Sequence, residues 1–259
     1  MDPIITLLSD FGSQDTYVAE MKGVLLQRCA HARMVDLTHA IPPQDLWAAR
    51  FHLQRACGHF PPGTVHLAVV DPGVGGQRRG IALQYPGGYL VGPDNGIFSG
   101  VLQDSAPLHG VELTNPDYWY AARPSRTFHG RDIFAPAVAH LALGHPINAL
   151  GRKLDLDTLV SLPVPPAERS ASRLRGTLQH VDHFGNLITT LPGEWLQDYP
   201  WQAVLSGQKI TGVLTYGDVP LGELAAYIGS HGWVEIGVNG SSAWERLRPR
   251  IGDPVEVRL

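Results

Sequence analysis

Short apolar runs alternate with longer amphipathic stretches through the first part of the chain. Ile4–Leu8, Met34–Leu37 and His66–Val70 are stopped by Gly, Pro or polar residues, a pattern typical of buried strands. Between them, Tyr17–Gln27 and Leu46–Cys57 carry apolar residues at helical spacing. Strands that alternate with helices predict an α/β domain with a mostly parallel sheet that is covered on both faces.

Two further stretches extend this pattern. Ile81–Gln84 and Tyr89–Val91 flank a Pro-Gly-Gly turn and predict a hairpin. Farther on, a polar loop precedes a helix in which Asp132 occupies the N-cap position, and the apolar residues that follow at helical spacing are Ile133, Ala137 and Leu141.

The amino-acid composition and the hydrophobic pattern change at Leu162. LPVPPAERSAS is rich in Pro, Ser and charge, which is the composition of a linker, so we assign an α/β domain to residues 1–162, a linker to 163–172 and a second domain to 173–259. Short runs broken by Gly, Asn or Asp then predict a small all-β barrel or sandwich. These runs are Leu174–Val181, Leu187–Thr190, Ala203–Leu205, Ile210–Leu214, Trp233–Val238 and Val255–Leu259.

Composition narrows the class of protein. With 259 residues, 44% hydrophobic and 17% charged, the chain has globular composition. A net charge of -4 gives no electrostatic support for binding to nucleic acid or to an anionic membrane. Met1 leads directly into Asp2, Pro3 and a strand, no apolar run is long enough to span a bilayer, and Cys29 and Cys57 are typical of buried thiols in a reducing compartment. We therefore expect a soluble, cytoplasmic protein.

The stretch VVDPGVGGQRR is the first candidate site. Asp71 follows a buried strand, Arg78 follows a Gly-rich loop, and the carboxyl ends of strands are where open α/β sheets hold ligands. The alternative is a turn-forming Asp with a solvated Arg. A second glycine-bearing polar loop, with His129 before the helix near Asp132, favours a site. The twelve histidines include no HExxH spacing and the chain has no CxxC pair, so we expect no metal.

Two turns of the second domain combine unusual side chains. VDHFGNLITT places Asp182, Phe184 and Asn186 together, although FGN is also an ordinary turn with positive φ. The Gly-rich segment Gly229–Leu247 would let a ligand approach the backbone, but glycines also let barrels turn corners.

Six motifs occur in one order along almost the whole chain. They are SDFG, VVDPGVGG with Arg78, GPDNG, FHGRD, DHFGN and VNGSSA. Together with the linker position, they resemble the S-adenosyl-L-methionine (SAM) hydroxide adenosyltransferase family, the SAM hydrolases related to fluorinase and chlorinase.

The resemblance implies an α/β domain and a barrel domain in a homotrimer, with SAM held between neighbouring subunits. It implies that water or hydroxide attacks the ribose 5′ carbon and releases adenosine and L-methionine, with SAM as substrate and no cofactor. Asp71, Arg78 and His129 match the residues that hold the attacking oxygen. Asp71 and His129 are both able to accept its proton while Arg78 stays charged, so the identity of the base remains open.

Further contacts follow from the same resemblance. Asp10 matches the acid at the ribose hydroxyls, with an N-cap or Asx turn as its alternative role. Asp182 and Ser230 match the methionine amine and carboxylate positions, and His231 stands where fluorinase has Arg. The residues at the adenine are Phe184, Asn186 and Tyr216, with Val238, Asn239 and Gly240 at its edge.

The halogenases of the same superfamily are an alternative. Asp71 stands where fluorinase has Tyr, and Gly130 stands where it has a halide-binding Ser. A carboxylate beside the nucleophile repels halide and favours water. A SAM-binding or adenosine-binding module without turnover and a metal-dependent hydrolase are the other two hypotheses, and chelation tests the second.

Overall fold

The structure, a computed structural model, describes residues 2–196 and 200–259. The chain divides into two compact units, one that ends at Leu162 and one that begins at Pro163. None of the helices in the described part of the chain is both long and apolar enough to cross a membrane.

The first unit contains a seven-stranded sheet with the order β2-β1-β3-β5-β4-β6-β7. Its strands are β1 (Ile4–Ser9), β2 (Arg33–Thr38), β3 (Thr64–Val69), β4 (Gly80–Tyr85), β5 (Gly88–Pro93), β6 (His109–Glu112) and β7 (Arg152–Lys153). Its α-helices are α1 (Tyr17–Arg28), α2 (Leu46–Cys57), α3 (Ser99–Asp104) and α4 (Ala135–Ala142). Shorter helical turns are 3₁₀ segments at Pro116–Tyr118, Ile147–Leu150 and Leu156–Thr158 and a π-helical segment at Gly130–Phe134.

The sheet is mixed. β2, β1, β3 and β5 pair in parallel, whereas β4 pairs with β5 and β6, and β6 with β7, in antiparallel fashion. The mostly parallel sheet of the sequence prediction is therefore confirmed in part. The tight β4–β5 hairpin reverses the chain direction, and the two short strands after it continue the antiparallel edge.

Helices cover both faces of this sheet, as the sequence predicts. Successive strand residues point to opposite faces, so Leu7 packs with α1 and α4, while Leu8 packs with α2. β3 is buried at every position because it lies in the middle of the sheet and is covered on both sides.

The second unit is a sheet of antiparallel neighbours with the order β12-β11-β15-β9-β10-β14-β13. Its edges approach each other where Gly212 forms a bridge with Ala226 and the Val213 N–H donates to the Ala226 carbonyl at 2.8 Å, so the sheet is nearly barrel-shaped. Its strands are β8 (Glu168–Arg169), β9 (Arg173–Val181), β10 (Leu187–Pro192), β11 (Gln202–Leu205), β12 (Gln208–Thr211), β13 (Leu224–Ile228), β14 (Trp233–Val238) and β15 (Pro254–Arg258). Its helical segments are α5 (Ala243–Leu247) and 3₁₀ turns at Gly193–Trp195 and Tyr216–Asp218.

The interior of this second sheet is filled by aliphatic residues around Trp201, which is only 1% exposed. Gly212 is required beside it, since a Cβ there would lie 2.4 Å from the Trp201 ring. The segment predicted as a linker is not free of structure, because β8 lies inside it and pairs with the start of β9.

Cys29 and Cys57 are both buried and both free. Burial raises the pKa of the Cys57 thiol to about 12, and it raises that of Cys29 as well. Neither thiol is therefore activated as a nucleophile.

Candidate functional site

The loop after β3 reverses direction and brings the carboxylate of Asp71 into contact with the guanidinium of Arg78. Within it the Val74 N–H donates to the Asp71 carbonyl at 3.2 Å, and the Gly76 N–H to the Gly73 carbonyl at 3.0 Å. Gly75 has φ +74°, and a Cβ there would lie 2.2 Å from the Arg126 carbonyl oxygen. The glycines thus permit both the reversal and the close approach of the Arg126 segment.

Arg78 and Asp71 form a buried ion pair in which two nitrogens of the guanidinium donate to the carboxylate. Nε of Arg78 lies 2.9 and 3.0 Å from the two carboxylate oxygens, and Nη2 lies 2.5 Å from Oδ2. The two side chains are only 12% and 6% exposed. Bidentate contact in a buried setting fixes the carboxylate, which is the geometry that distinguishes arginine from lysine.

The same guanidinium also binds His129. Nη2 of Arg78 lies 2.7 Å from Nδ1 of His129, and because a guanidinium only donates, Nδ1 must accept. Burial, and then the charge of Arg78, lower the pKa of His129 from its ordinary value of 6.5. The imidazole is therefore neutral at pH 7, with its proton on Nε2.

These residues surround a crevice of about 360 Å³, which we call the α/β crevice. Arg78 is not part of the lining; it supports Asp71 and His129 from behind, with its guanidinium 5.4 Å from the centre of the Phe134 ring. The lining consists of Asp10, Phe11, Tyr17, Gln44, Val69, Asp71, Pro72, Val74, Thr127, Phe128, His129 and Gly130.

Asp10 lies in the same crevice as Asp71 and His129. It does not cap α1, whose N-cap is Thr16; instead its Oδ2 accepts the Gln44 N–H at 2.9 Å. Gln44 has φ +66°, a conformation that non-glycine residues rarely adopt. The acid is thus held by one backbone donor and faces the crevice.

Aromatic rings form an apolar wall that the sequence interpretation missed. Phe11, Tyr17 and Phe128 contact one another with ring centres 5.2 to 5.8 Å apart. Phe11 and Phe128 belong to the SDFG and FHGRD motifs, but their convergence depends on the tertiary fold.

The predicted N-cap role of Asp132 is wrong. Asp132 is buried inside the π-helical segment, where it pairs with Arg131 at 2.7 Å and accepts the Ser125 N–H at 2.7 Å. The α-helix begins only at Ala135. Asp132 therefore ties the preceding loop to the helix and helps to place His129.

The second unit contains a crevice of about 820 Å³, the barrel crevice. Eight of the residues that the sequence predicts for this domain's site line it, namely Asp182, Phe184, Asn186, Tyr216, Ser230, His231, Val238 and Gly240. Asn239 is not part of the lining, and its side-chain amide donates to the Val219 carbonyl at 2.8 Å. Residues that the prediction missed complete the lining, and these are Ile188, Leu214, Thr215, Tyr227, Ile228, Gly229, Glu235, Ser241 and Ser242.

Asp182 organises the DHFGN turn. Its Oδ1 accepts the backbone N–H groups of Phe184 and Asn186 at 2.9 and 2.8 Å, and its Oδ2 accepts the Asn186 amide at 3.0 Å. Gly185 has φ +81°. The alternative of an ordinary turn is therefore correct for the backbone of this segment. The turn also places Phe184 at the crevice, with 74% of the residue's surface exposed.

A second local device positions Tyr216. The Thr215 hydroxyl accepts the Gly217 N–H at 3.0 Å, and the Asp218 carboxylate accepts the Thr215 N–H at 2.8 Å. Tyr216 is 57% exposed and lies 6.1 Å from the Tyr227 ring. A rigid turn therefore presents an open aromatic face.

His231 is held inward by hydrogen bonds within its own unit. Its Nδ1 accepts the Trp233 N–H at 3.1 Å, and its Nε2 lies 2.8 Å from Oε2 of Glu235. Glu235 is 8% exposed and accepts the Tyr227 hydroxyl at 2.8 Å through Oε1. Sequence reasoning missed Glu235 because it lies within a strand pattern.

Within the described residues, no three His, Cys, Asp or Glu side chains are grouped as a metal site requires. His129 has no free lone pair for a cation in this arrangement, because Nδ1 accepts from Arg78 and Nε2 carries the ring proton.

Two family profiles match the two units. The SAM hydroxide adenosyltransferase N-terminal domain matches residues 5–151, and the C-terminal domain of the same family matches residues 176–256. The fold and the two crevices thus define a two-domain protein of the adenosyltransferase class. The chain belongs to the SAM hydroxide adenosyltransferase family.

Curated relatives and solved structures agree with this assignment. The chain is 43% identical to a protein of Salinispora tropica and 42% identical to one of Thermus thermophilus, both named (R)-S-adenosyl-L-methionine hydrolase, over 98% of this chain and 97% and 98% of theirs. A fluorinase of an Actinoplanes species is 30% identical over 93% of this chain and 92% of its own. A crystal structure of an uncharacterized conserved Thermotoga maritima protein superposes with a TM-score of 0.91 at 33% identity, covering 98% of this chain and 100% of that one.

Proposed function

We propose that the protein hydrolyses SAM to adenosine and L-methionine by in-line attack of water or hydroxide on the ribose 5′ carbon. The observation that carries this proposal is the double contact of Arg78 with Asp71 and His129 at the edge of the α/β crevice. Asp71 and His129 both line the crevice, where they can bind and polarise one water molecule, and Arg78 holds them in place from behind. The names of the relatives point to the same reaction.

The tautomer of His129 assigns the roles. Its Nδ1 is occupied by Arg78 and its Nε2 already carries a proton, so His129 donates a hydrogen bond and does not act as the base. Asp71, whose oxygens keep acceptor capacity beyond Arg78, receives the proton of the attacking water. Arg78 holds both side chains in one geometry.

The leaving group needs no acid. Methionine departs as a neutral thioether from a sulfonium cation, so the protein acts mainly on the nucleophile. Orientation of the water at roughly 3 to 3.5 Å from the carbon, and stabilisation of the developing charge by fixed dipoles, supply the remaining catalysis.

The substrate contacts divide between the crevices. Asp10 binds the ribose hydroxyls, and Phe184, Asn186 and Tyr216 bind the adenine, with the backbone of Val238, Asn239 and Gly240 at its edge. Asp182 and Ser230 serve the methionine end. A complete site then combines the α/β crevice of one subunit with the barrel crevice of a neighbour in a homotrimer that acts in the cytoplasm.

The relatives are named for the R form of the substrate, and we extend that preference at the sulfonium centre to this chain. Separate incubation with the two sulfonium epimers tests it. We expect faster release of adenosine from the R epimer, and equal rates would contradict this part of the proposal.

Halogenation is the second candidate, because a fluorinase is among the relatives. Two features oppose it. Asp71 places a carboxylate beside the nucleophile position, and a Cβ at Gly130 would lie 3.0 Å from the Met21 sulfur, so a side chain there would require the Met21 side chain to shift. A 5′-halogenated adenosine formed in the presence of chloride would favour this candidate over hydrolysis.

The direct experiment incubates the purified protein with SAM and follows adenosine and methionine by chromatography, with and without chloride. We expect adenosine and methionine in equal amounts, unaffected by chloride and by prior chelation. No product from the folded protein would favour a binding module, and loss of activity on chelation that metal restores would favour a metal-dependent hydrolase.

A further inference from the structure

The barrel crevice is lined by acids without a basic partner of fixed charge. Asp182 and Glu235 both line it, and none of the described lining residues is a lysine or an arginine. The α/β crevice likewise has Asp10 and Asp71 in its lining, with Arg78 behind Asp71 rather than at the surface of the crevice. Both crevices therefore favour cationic ligand groups.

His231 is the one lining side chain of the barrel crevice able to carry a positive charge among those described, and hydrogen bonds within its own unit occupy both of its ring nitrogens. The Trp233 N–H points at Nδ1, so Nδ1 carries no proton, and the remaining ring proton lies on Nε2 toward Glu235. Protonation of Nδ1 would set two donors against each other. The imidazole side chain is 9% exposed and is committed to Glu235.

The neighbouring glycine keeps this arrangement tight. A Cβ at Gly229 would lie 2.3 Å from Oε2 of Glu235 and 2.5 Å from the His231 ring. Glu235 also accepts a hydrogen bond from the Tyr227 hydroxyl. Three hydrogen bonds therefore hold this group of side chains, from Trp233 N–H to His231, from His231 to Glu235 and from Tyr227 to Glu235. Reorientation of His231 toward a ligand carboxylate would break two hydrogen bonds and leave Glu235 buried with one donor fewer.

We propose that this enzyme does not recognise the substrate carboxylate by an ion pair and that it therefore also hydrolyses adenosyl sulfonium compounds without a carboxylate, of which decarboxylated SAM is the type. This inference rests on the proposed function. The carboxylate meets only neutral donors such as the Ser230 hydroxyl, while the amine and the sulfonium meet the acids. The products of the second reaction are adenosine, 3-(methylthio)propylamine, whose sulfur is now a neutral thioether while its ammonium is kept, and the proton released from the attacking water.

Charge explains why removal of the carboxylate is tolerated. SAM carries a sulfonium, an ammonium and a carboxylate, whereas its decarboxylated form keeps the two cations and loses the anion. A site that binds a carboxylate with a buried cation discriminates by several orders of magnitude in kcat/KM against an analogue without the carboxylate. The reason is that the cation of the protein is then left unpaired. An acid-lined site has no such group to leave unpaired.

The test measures kcat/KM for adenosine release from SAM and from decarboxylated SAM with the intact enzyme. We expect the two values to agree within about tenfold, and a larger loss with decarboxylated SAM overturns the inference. Absence of turnover with SAM itself would instead remove the proposed function, so the two failures are distinguishable.

The Glu235→Gln variant tests the charge directly. We expect kcat/KM for decarboxylated SAM to fall several-fold more than kcat/KM for SAM, mainly through KM, because the ligand with more positive charge loses more. Glu194→Gln removes the same charge from an exposed position outside the lining and should leave the ratio unchanged. Equal falls for both substrates in a Glu235→Gln protein of unchanged melting temperature would contradict the role of this carboxylate.

Discussion

The two crevices are held together by different forces. In the α/β crevice, Arg78 fixes Asp71 and His129 by charged hydrogen bonds, and the contact with His129 joins residues 51 positions apart. In the barrel crevice, Asp182 fixes Phe184 and Asn186 by bonds across two and four positions. The first crevice depends on charged contacts between residues that are distant in the sequence. The second depends on hydrogen bonds within one turn.

This difference fits the proposed division of work. Chemistry on a water molecule needs preorganised charge in a buried place, because a fixed charge acts strongly where water is excluded. Recognition of a flat base needs exposed rings on rigid supports, which short hydrogen-bonded turns provide. Substitutions should therefore affect the rate in one crevice and affinity or stability in the other.

The largest expected effect is that of Asp71→Asn. Loss of the accepting carboxylate should lower kcat about a thousandfold with little change in KM, within the range of general base catalysis. Steady-state release of adenosine measures it.

Asp94→Asn is the matched control. Asp94 forms a similar buried pair with the adjacent Arg79, but that pair holds the segment at Thr158 and Val160. Breaking such a pair costs about 3 kcal/mol of stability. We expect lower stability in both variants and lost catalysis only in Asp71→Asn, and a comparable fall of kcat in Asp94→Asn would contradict the assignment.

The next effect concerns the turn of the barrel crevice. An alanine Cβ at Gly185 would lie 2.0 Å from the Ser242 hydroxyl and would adopt φ +81°, so Gly185→Ala should cost roughly 3 kcal/mol of unfolding free energy. Gly207→Ala has a similar φ of +79° with no atom within 4 Å, and should cost about 1 kcal/mol. Urea unfolding measures both, and equal costs would show that the contact with Ser242 is unimportant.

A smaller effect is expected for Phe184→Ala. The ring is 74% exposed, so its loss should leave the melting temperature unchanged. Stacking of a base on an aromatic ring contributes roughly 1 to 3 kcal/mol, so KM should rise about tenfold while kcat changes little. Ile251→Ala, at a residue that is 50% exposed and outside the crevice lining, should change neither. An unchanged KM in Phe184→Ala would exclude this ring from the adenine site.

The smallest effect is a displacement of the acid limb of the pH profile. Burial and Arg78 lower the pKa of His129, so the imidazole stays neutral at pH values below 6.5 and kcat should persist there. The folded state then binds fewer protons than the unfolded state, so the stability contributed by this group is lost as pH falls from about 6.5 toward the folded value. A fall in kcat centred at or above pH 6.5 would contradict the neutral, donating imidazole.

Elements with a clear hydrophobic period were predictable from local pattern. α2 and β14 begin and end where the sequence analysis places them, at Leu46–Cys57 and Trp233–Val238. Many of the motif residues line one of the two crevices, because loops at strand ends are constrained by their own glycines and acids. β6, β7, β8 and β13 were missed, and β7 and β8, with two residues each, are too short to show a period.

Strand direction and the bonding of individual polar groups depended on contacts distant in the sequence. The antiparallel half of the first sheet follows from the return of β4 against β5 and β6, which no local period encodes. Asp132 looked like a cap, yet it is committed to Arg131 inside its unit. The sequence left the contact of His231 with the substrate carboxylate open, and in the structure His231 is hydrogen bonded to Glu235. A local pattern decides which face of an element is apolar, whereas the protonation and direction of a polar side chain depend on every donor and acceptor that the fold brings to it.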